Sequence, residues 1–268
     1  MTAATPVGIV GVRFLNARPL LAGLEAGIAA PFAYDFATAE PSVCAERLGS
    51  GRVVTGLVPV ATLPAMPDVR ALPTLGVACR QEATSVLLVS RVAPEKIRTL
   101  AAHTASRTSV ALARLLLADR WGVTPRITPA RPPLEAMLAD ADAAVLIGDA
   151  ALKVHGCSGV LEIDLAAAWV EWTGLPFVFA VWGAAPTAPE GLDVVLEASL
   201  RFAEGNWERL LPRWAEAHGI GLAETRHYLE RTLCYRLSDA ERAGMTEFLR
   251  RAAACGVLPA AREVWRAA

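Results

Sequence analysis

Apolar positions in this chain change their spacing often, in short steps. "VGIVGVRFL" is a continuous apolar, branched run and predicts a buried strand. "NARP" then turns the chain, and Pro19 suits the first turn of a helix over Leu20 to Leu24. In "EPSVCAERLGSG", Pro41 stands near the start, Val43, Cys44 and Leu48 fall on one side, and Gly49 ends a short helix. "VVTGLVPV" and "TSVLLVS" predict two further strands. "RTLAAHTASRTSVALARLLLADRWG" begins strand-like. From Arg107 it turns helical, with Val110, Leu112, Leu115 and Leu116 apolar, Ser106 as a natural N-cap and Gly122 as a stop.

"PPLEAMLAD" predicts a helix, "AAVLIGD" a strand and "AALKV" a helical start. "LEIDLAAAWVEWTG" runs from strand into a helix that stops at Gly174, and "PFVFAVW" is strand-like again. After Pro186 the strand signal fades into three helical patterns, near 190–215, 222–232 and 238–254. Ser238 with Glu241 three residues on matches a capping box.

Strands alternating with helices argue for parallel sheets covered on both faces. The segment 89–182 reads as an α/β unit of its own, bounded by "TSVLLVS" and "PFVFAVW". The expected architecture is therefore α/β in two lobes. Residues 1–88 plus 183–268 form one lobe with a helical C-terminal tail, and 89–182 form an inserted lobe. The two strands act as a double hinge, with a ligand cleft between the lobes at strand carboxyl ends. A single larger doubly wound sheet uses the same elements and stands as the alternative. Trp172 to Leu175 are expected to close the cleft from one side. The period of two puts Phe177 and Phe179 on one face of the returning strand.

Composition narrows the class. The 268 residues are 54% hydrophobic and 20% charged, enough for large cores. The 26 basic and 27 acidic residues show no basic stripe, which argues against nucleic acid as a partner. The longest apolar run, Gly174 to Pro186, is shorter than the ~20 residues that span a bilayer. The N-terminus reads as a first strand rather than an export signal, so a cytoplasmic protein is expected. The five cysteines (Cys44, Cys79, Cys157, Cys234, Cys255) are scattered and read as free thiols.

Candidate chemistry is sparse. The four histidines (His103, His155, His218, His227) share no ligand spacing with each other or with cysteine, so no metal is expected. No dinucleotide or P-loop glycine pattern and no G-x-S-x-G elbow occurs. What remains is polar and neutral. Asn16 ends the first strand; it is a turn residue or a ligand contact. Thr84 and Ser85 open a buried strand. In "TASRTS", hydroxyls and an arginine surround a helix start, where free amides suit a carboxylate; Ser106, Thr108 and Ser109 would add donors. The bland reading is a simple cap with Arg107 in solvent. Asp149, after Gly148 at a strand end, is an N-cap or a ligand contact.

Taken together, "FLNARPL", "LVPVATL", "SVLLVSR", "SRTSVALARLLL", "AVLIGDAAL" and "WTGLPFVFAVW" resemble, in family order, the menaquinone-biosynthesis family of the futalosine pathway, which includes chorismate dehydratase. The resemblance implies a type II periplasmic-binding-protein-like fold used as a cytoplasmic enzyme, monomeric or homodimeric, without metal or organic cofactor. The implied reaction is loss of water from chorismate to give 3-[(1-carboxyvinyl)oxy]benzoate. Asn16 and Ser85 match the family's catalytic positions. Ser106, Thr108 and Ser109 match a carboxylate-binding helix start, and Asp149 and Thr173 match cleft-side substrate positions. His103 stands where relatives carry Asp. It is either a satisfied loop histidine or a change in the cleft's charge. A non-catalytic binder of the same fold and a sister enzyme forming a dihydroxynaphthoate are the competing readings.

Overall fold

The structure is a computed structural model and describes residues 5–156, 160–260 and 262–265. β1 (Val7–Val12) is the opening apolar run, and its glycines allow close packing: a Cβ on Gly11 would stand 2.6 Å from Leu21 of the first helix. A single turn, Leu15–Ala17, leads into α1 (Arg18–Glu25), which Pro19 starts. β2 (Tyr34–Ala39), α2 (Pro41–Gly49), β3 (Thr55–Pro59) and β4 (Arg70–Cys79) follow. Then come β5 (Val86–Ser90), β6 (Thr99–His103), α3 (Thr108–Leu115), β7 (Arg126–Ala130), α4 (Leu134–Met137), β8 (Ala143–Ile147), α5 (Asp149–Leu152), β9 (Leu161–Asp164) and α6 (Leu165–Thr173). β10 (Phe177–Ala184) is followed by α7 (Leu192–Glu204), α8 (Trp207–His218), α9 (Leu222–His227), β11 (Cys234–Arg236) and α10 (Asp239–Ala254). The helix expected over 190–215 is thus two, parted at Gly205–Asn206.

Two sheets form, so the single-sheet alternative falls away. The first has six strands in the order β11-β4-β10-β3-β1-β2, the second five in the order β7-β6-β8-β5-β9. Both are mixed rather than parallel. β1 runs parallel to β2 and β3, but β10 is antiparallel to β3 and β4. β5 is likewise antiparallel to β8 and β9. Both reversed strands adjoin the passages between lobes, where the chain enters a sheet from the other side. The expected boundaries at 88/89 and 182/183 fall inside β5 and β10. Sheet membership changes earlier, between Cys79 and Val86 and between Asp164 and Phe177. One buried cluster, with Trp169, Phe177 and Phe248 among its largest side chains, runs unbroken from the first sheet across α3 and α6.

α10 braces both passages. Its capping box is present as read from Ser238 and Glu241. Glu241, fully buried, also accepts from Arg80 Nε at 2.8 Å, at the start of the outgoing passage. One turn on, Gly244 lies against the carbonyl of Pro176 in the return passage. Burial alone would raise the Glu241 carboxyl, but the hydrogen bonds from Ser238 and Arg80 outweigh it and hold the pKa at about 2. A carboxyl held low in the fold stabilises it above the unfolded pKa of 4.5, and that stability is lost as pH falls toward 2. The melting temperature is expected to drop across that window and Glu241→Gln to flatten the drop. It will not abolish it, because Arg250 and then Arg251 hold Glu247 at about 2 as well. An unchanged slope in the variant would show that the Arg80 contact adds nothing.

Candidate active site

A cavity of about 50 Å³ lies between the lobes, where the carboxyl ends of β1, β3 and β8 meet the start of α3. Its walls are mostly apolar, with Phe14, Leu57, Val77, Val86, Ile147 and Phe179 among them. Against these stand Asn16, Ser106, Thr108, Ser109 and one charged residue, Arg107. The volume is room for one or two waters at ~30 Å³ each. Small-molecule sites run to ~300 Å³ and more. As it stands, the cavity is too small for a ligand of ordinary size, which needs the lobes to part.

The polar side of the cavity is built by α3. The helix begins at Thr108, with Arg107 at the cap and no side-chain cap bond, so the expected capping by Ser106 is absent. The first backbone bond of the turn is Ala111 N to Arg107 O. Among the described residues, the amides of Thr108, Ser109 and Val110 donate to no acceptor. Free amides, the positive end of the helix and the hydroxyls of Ser106 and Ser109 are the kind of donors an anion would need. Thr108 is different. Its hydroxyl donates to Phe179 O at 2.9 Å and accepts from Ala61 N at 3.2 Å, so it locks α3 to the first lobe.

Asn16, on the turn that follows β1, lines the same cavity. Its Oδ1 is buried and has no hydrogen-bond partner. A buried orphan acceptor costs about 1–3 kcal/mol unless a ligand or water fills it. Arg107 is exposed and pairs with no carboxylate among the described residues. The two readings of "SRTS" left Arg107 either in solvent or beside an anion site; it is exposed and lines the cavity.

Three expected residues stand elsewhere. Ser85 is 1% exposed, behind the wall formed by Val86. Its Oγ accepts from Tyr228 Oη at 2.6 Å. The passage before it is held by Asp164, which accepts from Ala83 N and Thr84 N at 2.9 and 2.6 Å while capping α6. Thr84 takes φ 55 there, in the left-handed region. Burial raises the Asp164 carboxyl against the pull of these amides. Asp149 is neither an N-cap, a place taken by Gly148, nor a lining residue: its carboxylate holds Leu15 N and His218. Thr173 donates to Trp169 O at 2.8 Å at the end of α6 and faces an outer groove with Arg242 and Trp265. Trp172 lies under Arg251 at 4.3 Å, and Leu175 lines the same groove, so this turn does not close the cleft. Phe177 and Phe179 do share a face, ring centroids 4.9 Å apart.

His103 ends β6 and faces a second outer groove, which meets the cavity at Ser106 and Arg107. Its Nδ1 is buried without a partner, so it is not a satisfied loop histidine. Burial pushes its pKa down, Glu40 opposes that and Arg131 adds to it. Among the described residues no three His, Cys, Asp or Glu side chains come together as a metal would require. Nor, among them, is any helix long and apolar enough to cross a membrane. Cys44, Cys79, Cys234 and Cys255 are free thiols, and Cys157 lies outside the described residues.

A family model described as menaquinone biosynthesis matches residues 7–254. A chorismate dehydratase of Thermus thermophilus is 31% identical over 195 residues, 66% of this chain and 71% of that protein. Among solved structures, the alkanesulfonate-binding protein SsuA of Xanthomonas axonopodis pv. citri superposes with a TM-score of 0.69 at 17% identity, covering 100% of both chains. A Candida albicans gene product with the generic periplasmic binding protein fold gives a TM-score of 0.69 at 13% identity, over 97% of this chain and 93% of that one. Both structures share the two-lobed fold.

Proposed function

We propose that this chain, which belongs to the menaquinone biosynthesis family, dehydrates chorismate to 3-[(1-carboxyvinyl)oxy]benzoate. One observation carries the reading: an interlobe cavity lined by the start of α3 and by Asn16, whose buried Oδ1 is unpaired, with no carboxylate or imidazole among its described lining residues. Chorismate brings two carboxylates and a ring hydroxyl. The free amides of α3, with Ser106 and Ser109, hold one carboxylate and Arg107 meets the other at the mouth. Asn16 holds the departing hydroxyl.

The reaction breaks one C–H and one C–O bond on adjacent ring carbons, forms a ring double bond and releases water. The product ring is aromatic, which supplies the driving force. With no acid or base in the lining, a substrate carboxylate takes the ring proton and passes it to the leaving hydroxyl. The site then contributes positioning and the exclusion of water. Ser85, buried beside the Val86 wall with its hydroxyl fixed by Tyr228, supports that wall rather than touching the substrate.

The test is incubation of the purified protein with chorismate, followed by ultraviolet absorbance and mass. A new aromatic dicarboxylate, lighter by one water, supports the reading. Saturable binding without turnover would favour a binder of this fold. Arg107→Ala is expected to raise KM about tenfold, the loss of one charge-assisted contact, with kcat within about twofold. Wild-type KM rises with salt, and the variant's rises less. Equal salt dependence in the two proteins would remove Arg107 from the site.

A further inference from the structure

We infer that His218 is the centre of a clasp that holds the lobes closed and sets the position of Asn16. The chain of contacts crosses from one lobe to the other. In the first lobe, Arg18 Nη1 donates to Glu25 at 2.6 Å and Arg18 Nε donates to His218 Nε2 at 3.1 Å. His218 Nδ1 meets Asp149 Oδ2, in the second lobe, at 2.6 Å. The other carboxylate oxygen of Asp149 accepts from Leu15 N at 3.1 Å.

These partners define the imidazole. Arg18 has only hydrogens to offer, so Nε2 carries the lone pair, and the ring proton sits on Nδ1 and points at Asp149. His218 thus needs both a donor and an acceptor, in line. Its side chain is 7% exposed, which spares the contact much of the screening of a surface pair. A second contact lies beside it: Lys153, which caps the end of α5, sits against Gly219 at the carbonyl end of α8.

The clasp adjoins the cavity through the backbone. Phe14, Asn16 and Ala17 line the cavity, while Leu15 and Arg18, interleaved with them, belong to the clasp. On the opposite lobe, Gly148 lines the cavity against the ring of Phe14, and Asp149 is the next residue. Closing the clasp therefore fixes Asn16 across from the start of α3. His218 and Asp149 are positioning residues, and their link to turnover rests on the proposed reaction.

Two variants test this. His218→Phe keeps a flat ring but neither bond. His218→Gln keeps a donor for Asp149 and an acceptor for Arg18. Hydrogen exchange on the free protein is expected to show the amide of Leu15, which donates to Asp149, opening at least tenfold faster in His218→Phe and at near wild-type rates in His218→Gln. In turnover, the Phe variant loses kcat and the Gln variant recovers most of it. Equal exchange in wild type and His218→Phe, or no recovery with Gln, overturns the clasp. Failure of the proposed reaction is distinct: wild type would not turn over chorismate, while the exchange result would still read the clasp.

Discussion

Asn16→Ala is expected to leave the melting temperature near that of the wild type and to cut chorismate turnover about a hundredfold or more. The size follows from removing one preorganised polar contact at a reacting group, worth ~10²–10³ in rate. The sparing of stability follows from burial. The Oδ1 atom has no partner to lose, so truncation removes an orphan acceptor rather than a bond. Steady-state rates with calorimetry on the same preparation measure both arms. Thr173→Ala is the control. Its hydroxyl ends α6 and faces the outer groove, so its loss is expected to cost stability and to leave the rate constant unchanged. Full activity in Asn16→Ala would overturn the site; so would an equal rate loss in Thr173→Ala.

Gly244→Ala is expected to destabilise the protein by about 3 kcal/mol or more, against the trend of helix propensity. Alanine inside a helix is favoured over glycine by about 1 kcal/mol. Here, however, the new Cβ would stand 2.1 Å from the carbonyl oxygen of Pro176, which is backbone and cannot rotate away. Overpacking of this kind costs about 1–3 kcal/mol and occasionally more. That carbonyl also accepts from Trp169 Nε1 at 3.3 Å, and Trp169 is fully buried against Trp172, Phe177 and Phe248. Moving it strains the whole aromatic cluster and the return passage together. A melting temperature roughly 5–10 °C lower is the expected reading for a chain of this size. Gly205→Ala, at the end of α7 with ordinary φ and no contact under 3.5 Å, is expected to be neutral or mildly stabilising. A stabilised Gly244→Ala would show that α10 does not press on the passage.

The sequence carried the lobes, the buried strands and the helix starts, because each has a local pattern. β1, β5, β8 and β10 are continuous apolar runs, and the box at Ser238 is a spacing. The strands that escaped notice have weaker patterns. β2, β7 and β11 sit at sheet edges with exposed residues, and β4 contains Pro73. The direction of β10 was invisible for another reason: nothing within eight residues records which way a neighbour runs. Asn16, Ser106 and Ser109, singled out in the sequence, line one cavity. The family resemblance implies cleft-side places for Asp149 and Thr173, but both stand beside a strand or helix end, and such ends can face either way. Their actual partners, Leu15, His218 and Trp169, are set by packing. Arg107 shows the converse: a polar residue with no partner in sequence terms turned out to be the one charge on the cavity wall.

The order of strands in the first sheet bears on how the chain is made. β3 and β4 do not pair with each other; β10 lies between them. When β4 leaves the ribosome, its future neighbour is still about a hundred residues away, some 5–20 s at ordinary rates of synthesis. Throughout that wait, β3 and β4 present bare backbone edges, the feature that invites pairing with other chains. The five strands of the second sheet, in contrast, come from one continuous stretch ending at Asp164 and can assemble at once. The inserted lobe is thus the part that can be finished first. The part that begins the chain stays open until Phe177–Ala184 arrives, and its last edge strand waits for Cys234–Arg236. Nascent chains of this fold would then be most vulnerable to misassembly midway through synthesis, after the first sheet has been half written and before its central strand exists.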